Sequence, residues 1–506
     1  MTQARLHPGS RRLSPSDAPV RLLGEQAFSR VAGAPLVAGN AVELLIDARA
    51  NFDAWIAAIR TARSSVFVEN YLFGDDEVAR ELRDALVERA AAGVGVFVIR
   101  DWLGCIGESR DSFWDPLRAA GGEVRTYNPV SLSSPLGWLS RDHRKLVVVD
   151  SEIGFVSGVC VSARWLGDPS RGIAPWRDTG ISVRGPAVHD LAASFAEGWA
   201  RLGTPLPPTL PALERTPPAV GSVALRVIAT QPSTAGVYRL DQLIASIAQR
   251  SLWLTDAYFV GLAPYVQALI AAAQDGVDVR LLVPGTSDVP IVSSLTRAGY
   301  RALLEGGVRI YEWNGMLHAK CAVIDGRWAR VGSSNLNIAS WMGNCELDVA
   351  LEDEAFAQRM HEQYERDLTN ATEIVLHAGR TRRTAQLPAG VHTSGGMASK
   401  RSGRATAGAL RLANTVGAAI TNRRVLGAAE NSVLLGGALA LLGCAAVAIL
   451  WPRLLAWPLA LIALWLGIGL LLRWIGSRRN ASKGAAPHST AGVTAEPPDS
   501  RGVVRG

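Results

Sequence analysis

Two stretches of the chain repeat one arrangement of groups fit for chemistry at phosphorus. In RDHRKLVVVD, His143 and Lys145 stand two apart and Asp150 follows five on; in LHAKCAVIDG, His318, Lys320 and Asp325 keep the same spacing. Both runs alternate as strands do, and on a period of two each His shares a face with its Lys. Such a face carries a titratable ring beside a fixed positive charge. The pair suits an anionic, phosphate-like group, which the Lys holds while the His attacks or moves a proton. After the second run a small-residue turn, Gly332-Ser333-Ser334, leads to Asn335. Asn335 and Ser333 are the candidates there for binding phosphate oxygens.

Lysine usage points the same way. The chain holds four lysines, Lys145, Lys320, Lys400 and Lys483, among 52 basic residues. The only two before Lys400 sit in the two His-Lys pairs, in a chain that otherwise uses Arg. A compact ammonium is not interchangeable with a guanidinium.

The elements that must position these groups are duplicated too. SVFVENYLF, from Ser65, parallels LWLTDAYFV, from Leu252, with Tyr71 and Tyr258 at matched points where either could line a phosphate cleft. Each is followed by a helical pattern and then a buried-strand run, GVFVIR in the first half and VDVRLLVP in the second. That is an internal repeat of domain size. Alternating strands and helices predict an α/β fold of two similar sandwich halves with a largely parallel sheet.

Two HxKxxxxD motifs in one chain resemble the phospholipase D superfamily. NYLFGDDEVARELRDAL, WRDTGISVRGPAV and GMLHAKCAVIDGRWARVGSSNLNIAS are similar to its cardiolipin synthase branch, and the likeness covers residues 41–368. The resemblance implies that the motifs meet across a pseudo-twofold axis in one active site, with His143, Lys145, Asp150, His318, Lys320 and Asp325 as its catalytic set. It implies a phosphohistidine intermediate, with the second His serving as acid and then base, and no metal or other cofactor. By motif context Asp178 and Glu346 are the carboxylates that bond the far ring nitrogen of the active-site histidines. The implied acceptor is the glycerol of phosphatidylglycerol, which would yield cardiolipin. Two departures stand out: Ser157-Gly158-Val159-Cys160 replaces the family's Gly-Gly-x-Asn, and Gly180 stands where relatives often carry His.

The rest of the chain sets the context. Its 506 residues, 48% of them hydrophobic, suffice for two or three domains, and a net charge of +7 suits an anionic surface. Five scattered cysteines without metal-ligand spacing read as free thiols in a reducing compartment. Residues 1–36 form a flexible arm without an apolar run long enough for a secretory signal. Residues 37–202 are the first half, 203–220 a Pro-rich linker and 221–378 the second half. Residues 379–431 form a basic tether, suited to lie against anionic lipid. Within 432–472 two apolar runs, parted by Pro452-Arg453, are each long enough to cross about 30 Å of hydrocarbon as a helix. Basic residues flank both, which places both ends in the cytoplasm, and residues 473–506 form a disordered tail. These features predict a phosphatidyltransferase at a bacterial inner membrane, acting on phosphatidylglycerol and as a further candidate phosphatidylethanolamine, with no nucleic acid as partner. A hydrolytic phospholipase D is the alternative; a nuclease and a silent membrane scaffold stand behind it.

Overall fold

The computed structural model describes residues 26–130, 140–207, 210, 215–376 and 423–426, with scattered helical positions between 439 and 471. The first half contributes the strands β1 (Val37–Ile46), β2 (Ser65–Asn70), β3 (Gly95–Asp101), β4 (Glu123–Tyr127), β5 (Lys145–Val149), β6 (Ile153–Ser157) and β7 (Thr179–Arg184). The second contributes β8 (Val223–Thr230), β9 (Ser251–Thr255), β10 (Asp278–Thr286), β11 (Arg309–Met316), β12 (Cys321–Ile324), β13 (Trp328–Gly332) and β14 (Glu346–Glu352). β1 and β8 pair antiparallel at the midline. Outwards from them the order is β1-β7-β6-β5-β2-β3-β4 on one side and β8-β14-β13-β12-β9-β10-β11 on the other. The two sequences of strands are the same sequence, read from a shared centre. β15 (Ala371–Leu376) and β16 (Arg423–Leu426) extend the second side.

The sheet is mixed, where the strand-helix alternation predicts a largely parallel one. The trios β2-β3-β4 and β9-β10-β11 run parallel, as does the added pair β15-β16. The inner strands are antiparallel, and two of their pairs, β5-β6 and β12-β13, are joined by links too short for a crossover. Asp150 and Ser151, with φ of 54° and 55°, turn β5 into β6, and Asp325 and Gly326, at 54° and 66°, turn β12 into β13. Two consecutive left-handed residues closed by an i→i+3 bond make the tight turn that matches strand twist. Those bonds run from Glu152 N to Val149 O and from Arg327 N to Ile324 O, each 3.0 Å.

Burial explains why the halves do not separate. On one face, the helices Val188–Arg201 and Glu354–Leu368 contribute Phe195, Trp199, Phe356 and Met360 to a single core that takes strand residues from both halves. On the other, the helices Asp47–Arg60 and Glu77–Ala91 cover the first half's strands, and Gly236–Ile247 with Ala263–Gln274 cover the second's.

Among the described residues no helix is long and apolar enough to cross a membrane. The predicted pair of spans at 432–472 lies in part outside the described residues; described positions within it, such as Ile449 and Leu461, are helical with exposed side chains. Residues 1–25 of the arm and the tail 473–506 lie outside them altogether.

Candidate active site

Each motif histidine sits just before a central strand, and each is stitched to the opposite half. His143 N donates to Cys345 O at 2.9 Å, and Cys345 N donates to Arg141 O at 2.8 Å. The mirror arrangement joins His318 N to Arg177 O at 2.7 Å and Arg177 N to Met316 O at 3.0 Å. Cys345 and Arg177 immediately precede the two predicted acids, so the backbone ladder delivers each carboxylate to the other half's ring. His143 Nδ1 donates to Glu346 Oε2 at 2.9 Å, and His318 Nδ1 donates to Asp178 Oδ2 at 2.8 Å. The wiring is crossed.

Both acids are fully buried and saturated with donors. Glu346 also accepts from Ser333 Oγ at 2.6 Å and Asn344 Nδ2 at 3.2 Å, while Asp178 accepts from Trp165 Nε1 at 3.0 Å and Thr179 N at 2.8 Å. Burial alone would raise both carboxyls, but the facing imidazoles and the lysine ammoniums hold them below the usual range. The rings respond oppositely. Burial, reinforced by Lys320, pushes His318 down to about 4, with Asp178 opposing; burial also lowers His143 against the pull of Glu346. A carboxylate accepts only, so the proton of each neutral ring rests on Nδ1 and the lone pair on Nε2.

Lys145 Nζ donates to His143 O at 2.6 Å. Lys320 Nζ donates to His318 O and lies 2.9 Å from His318 Nδ1. Burial, with Lys145 adding to it and Asp178 and Asp256 opposing, pushes Lys320 down to about 8. His143 and His318 line one cavity of about 300 Å³ together with Tyr71, Arg141, Cys160, Trp165, Trp176, Tyr258 and Asn335. Asn335 is buried, and its Oδ1 finds no donor among the described residues. Burial pushes the Cys160 thiol up to about 11, so it stands in the cavity wall as a neutral, weakly polar group.

Not every predicted residue reaches this cavity. Asp150 and Asp325 lie at the far ends of β5 and β12 and serve the fold. Asp150 accepts from Arg63 N, Ser64 N, Ser64 Oγ and Ser65 N at 2.7–3.0 Å, and Asp325 from Gln249 N, Arg250 N and Ser251 N over the same range. Each clamps the start of the neighbouring strand, β2 or β9, with the carboxylate of its own tight turn. The parity of the motif carries the signal: an offset of seven from the His falls on the opposite face of a strand. Ser333 is likewise not free for phosphate, since its hydroxyl donates to Glu346 and accepts from Leu347 N at 2.9 Å.

Tyr71 and Tyr258 both line the cavity, edge-on to His143 at 5.1 Å and to His318 at 5.8 Å between ring centroids. They are not strict counterparts. Strand register pairs Asn70 with Lys145, and continuing the β9–β12 register one step sets Asp256 against Lys320, so the tyrosines stand one residue out of step. Sequence reasoning missed Trp165, which with Trp176 flanks His318 at 5.2 and 5.8 Å. No spacing announces that pair. Arg141 was within reach, two residues before His143 on the same extended face. Gly180 has a steric reason: a Cβ there would lie 2.0 Å from Asn51 Oδ1 and 2.7 Å from Ser157 Cβ, so no side chain fits.

The comparisons with known proteins converge on one family. A family model described as "Cardiolipin synthase, PLD-like domain" matches residues 240–368. The chain is 34% identical over 376 residues to cardiolipin synthase A of Pseudomonas aeruginosa, covering 72% of this chain and 74% of that protein. It is 34% identical over 374 residues to the cardiolipin synthase A of Pseudomonas fluorescens, covering 72% and 76%. Among solved structures, the phosphatidylserine synthase of Haemophilus influenzae superposes with a TM-score of 0.53 at 14% identity, over 69% of this chain and 91% of that one.

Proposed function

The chain belongs to the cardiolipin synthase branch of the phospholipase D superfamily and is a phosphatidyltransferase, and we propose that it makes cardiolipin at the crossed histidine pair. The observation that carries this reading is the cavity itself. Two histidines from two halves face it, each with its Nδ1 proton held by a buried carboxylate and its Nε2 left for chemistry.

In the first step His143 Nε2 attacks phosphorus of a phosphatidylglycerol donor, forming a P–N bond as the bond to the leaving glycerol oxygen breaks. His318 gives that oxygen a proton. Burial and Lys320 keep His318 unprotonated near neutral pH; the negative charge of a phosphodiester substrate raises its proton affinity and loads it for this role. In the second step neutral His318 takes the proton from a glycerol hydroxyl of a second phosphatidylglycerol. That oxygen attacks phosphorus, the P–N bond breaks, and His143 is restored. Lys145, Lys320 and the Asn335 side-chain amide hold the non-bridging oxygens as charge builds. Asp178 and Glu346 fix the rings and stabilise the imidazolium forms.

We place the enzyme at a bacterial inner membrane with its catalytic halves and both termini in the cytoplasm, on the strength of the apolar runs at 432–472 and their basic flanks. The test is direct. Purified enzyme is given phosphatidylglycerol, alone and with phosphatidylethanolamine, and the lipids are resolved by mass spectrometry. Cardiolipin with released glycerol supports the reading, and released ethanolamine identifies the second donor. Phosphatidic acid without cardiolipin would instead make water the acceptor.

A further inference from the structure

Large apolar side chains that remain exposed gather around the mouth of the histidine cavity. Val289 lines the cavity, and the helix Pro290–Ala298 that follows carries lining residue Val292 and, three positions on, exposed Leu295. That spacing puts both on one helix face. Ile338, 56% exposed, stands between lining residues Asn337 and Ala339, and exposed Met342 follows in the turn Ala339–Gly343. Leu103 and Ile106, the latter 52% exposed, crown the turn after β3. That turn is pressed on cavity-lining Tyr71: a Cβ on Gly104 would lie 2.1 Å from Tyr71 O, and Cys105 Sγ lies 3.8 Å from the same atom. Three separate loops from both halves thus expose apolar residues beside one opening.

Size and charge say what covers them. A cavity of about 300 Å³ admits a phosphodiester headgroup but not the acyl chains attached to it, which must leave across this rim. Exposed Arg110 follows the β3 turn, and exposed Arg164, which lines the cavity, and Arg171 stand on the segment between β6 and β7. Arg164 is itself paired with Glu108 at 2.7 Å, while Asp288 accepts from the Tyr258 hydroxyl at 2.7 Å and Asp168 from Ser170, so arginines and carboxylates interleave around the apolar tips. Apolar tips set among arginines and their polar partners fit the boundary between headgroups and acyl chains of a bilayer.

We propose that this rim is a membrane-docking surface: its apolar tips enter the lipid boundary, so the cavity mouth opens on the bilayer and lipid enters without crossing water. The inference rests on the phosphatidyl-transfer reading and adds to it the face that meets the membrane.

The test uses the full chain with Ile106→Glu and Ile338→Glu, singly and together; neither side chain lines the cavity. Two substrates are compared, vesicles of long-chain phosphatidylglycerol and phosphatidylethanolamine, and monomeric dihexanoyl phosphatidylglycerol in solution. The double variant should lose at least about tenfold on vesicles, since each Glu removes apolar burial and adds repulsion from anionic lipid. Its turnover of the soluble lipid should stay within about twofold, because nothing at the histidines changes. Equal losses on both substrates, or no loss on vesicles, overturn the proposal. So does a variant that alters only the sedimentation of the detergent-solubilised chain, which would mark the rim as a contact between copies. A wild-type chain that turns over neither lipid overturns the transfer reading first, and this inference with it.

Discussion

Replacing Asp178 by Asn isolates the crossed wiring. The two oxygens of Asp178 accept from three donors, His318 Nδ1 at 2.8 Å, Trp165 Nε1 at 3.0 Å and Thr179 N at 2.8 Å. An amide offers one acceptor oxygen and one donor NH₂, so in either orientation the NH₂ faces a donor. Turned towards Thr179, it leaves a neutral oxygen on His318 and loses a charge-assisted bond of about 1.5–3 kcal/mol, or roughly 10- to 150-fold in rate. Turned towards His318, it forces the proton onto Nε2 and the loss moves towards about 10⁴-fold, the range seen when a catalytic histidine is held in its wrong tautomer. Turnover of phosphatidylglycerol should therefore fall between these limits.

The informative assay changes the leaving group. A phosphatidyl-p-nitrophenol donor needs no proton on departure, so a defect in the acid His318 is rescued in the first step while a defect in the nucleophile His143 is not. Asp178→Asn should recover with this donor and share its pattern with His318→Ala. Glu346→Gln should not, and His143→Ala should be inactive with both donors. Rescue of Glu346→Gln in place of Asp178→Asn would exchange the roles of the two histidines. An Asp178→Asn enzyme within about threefold of wild type on phosphatidylglycerol would refute the reasoning itself, because a buried charged bond cannot be lost so cheaply.

Three further outcomes are expected. Because burial pushes Lys320 down to about 8, kcat/KM should fall as pH rises through about 8 and the ammonium that holds the phosphate is lost; the limb in kcat should lie higher, since bound anion favours the charged amine, and a profile flat to about pH 10 would contradict this. Cys160→Asn should raise the ratio of phosphatidic acid to cardiolipin about fivefold, because an amide gives water roughly 1 kcal/mol of hydrogen bonding in a wall now lined by a neutral thiol; an unchanged ratio by mass spectrometry would remove Cys160 from the control of water. Asp150→Ala should lower stability by about 2 kcal/mol while sparing turnover per folded molecule. Burial works to raise the Asp150 carboxyl, but bonds from Ser65, Ser64 and Arg63 hold it below its ordinary value. Its contribution is therefore present above about pH 4 and lost as pH falls further, so urea midpoints of wild type and variant should converge in acid.

The sequence made the local chemistry legible and left the pairing open. A His and a Lys two apart on an alternating run fix their shared face without any tertiary information, and the duplicated strand-helix pattern foretells two halves. The order of the strands does not follow from it, because the tight turns at Asp150-Ser151 and Asp325-Gly326 set only β5-β6 and β12-β13, and other antiparallel neighbours meet across long stretches of chain. The motif aspartates travel with the histidines and so look like chemical groups, though their odd offset places them on the other face. The crossed acids lie 203 and 140 positions from their histidines. At that separation, pairing within a half and pairing across halves satisfy the same residues. The one-residue slip between Tyr71 and Tyr258 is hidden for a related reason, since two different backbone paths bring a ring to the same place.

Crossing has a consequence for how the site is built. Neither half holds a working histidine by itself: the first supplies His143 without its acid and the second supplies that acid without its ring. The backbone rungs at Cys345 and Arg177 and the shared core of Phe195, Trp199 and Phe356 therefore do more than join two domains. They set the proton position on both rings. Close packing holds one of the acids in place: a Cβ on Gly158 would lie 2.2 Å from Asp178 Oδ1, so bare backbone is required there. The symmetry ends at the cavity wall, which Asn335 lines from one half and Cys160 from the other, and where Trp165 holds one acid while Ser333 holds the other. A two-step transfer asks its two histidines for different service, one to bond phosphorus and one to move protons. A duplicated frame with unlike walls can provide both without losing the alignment that duplication gave it.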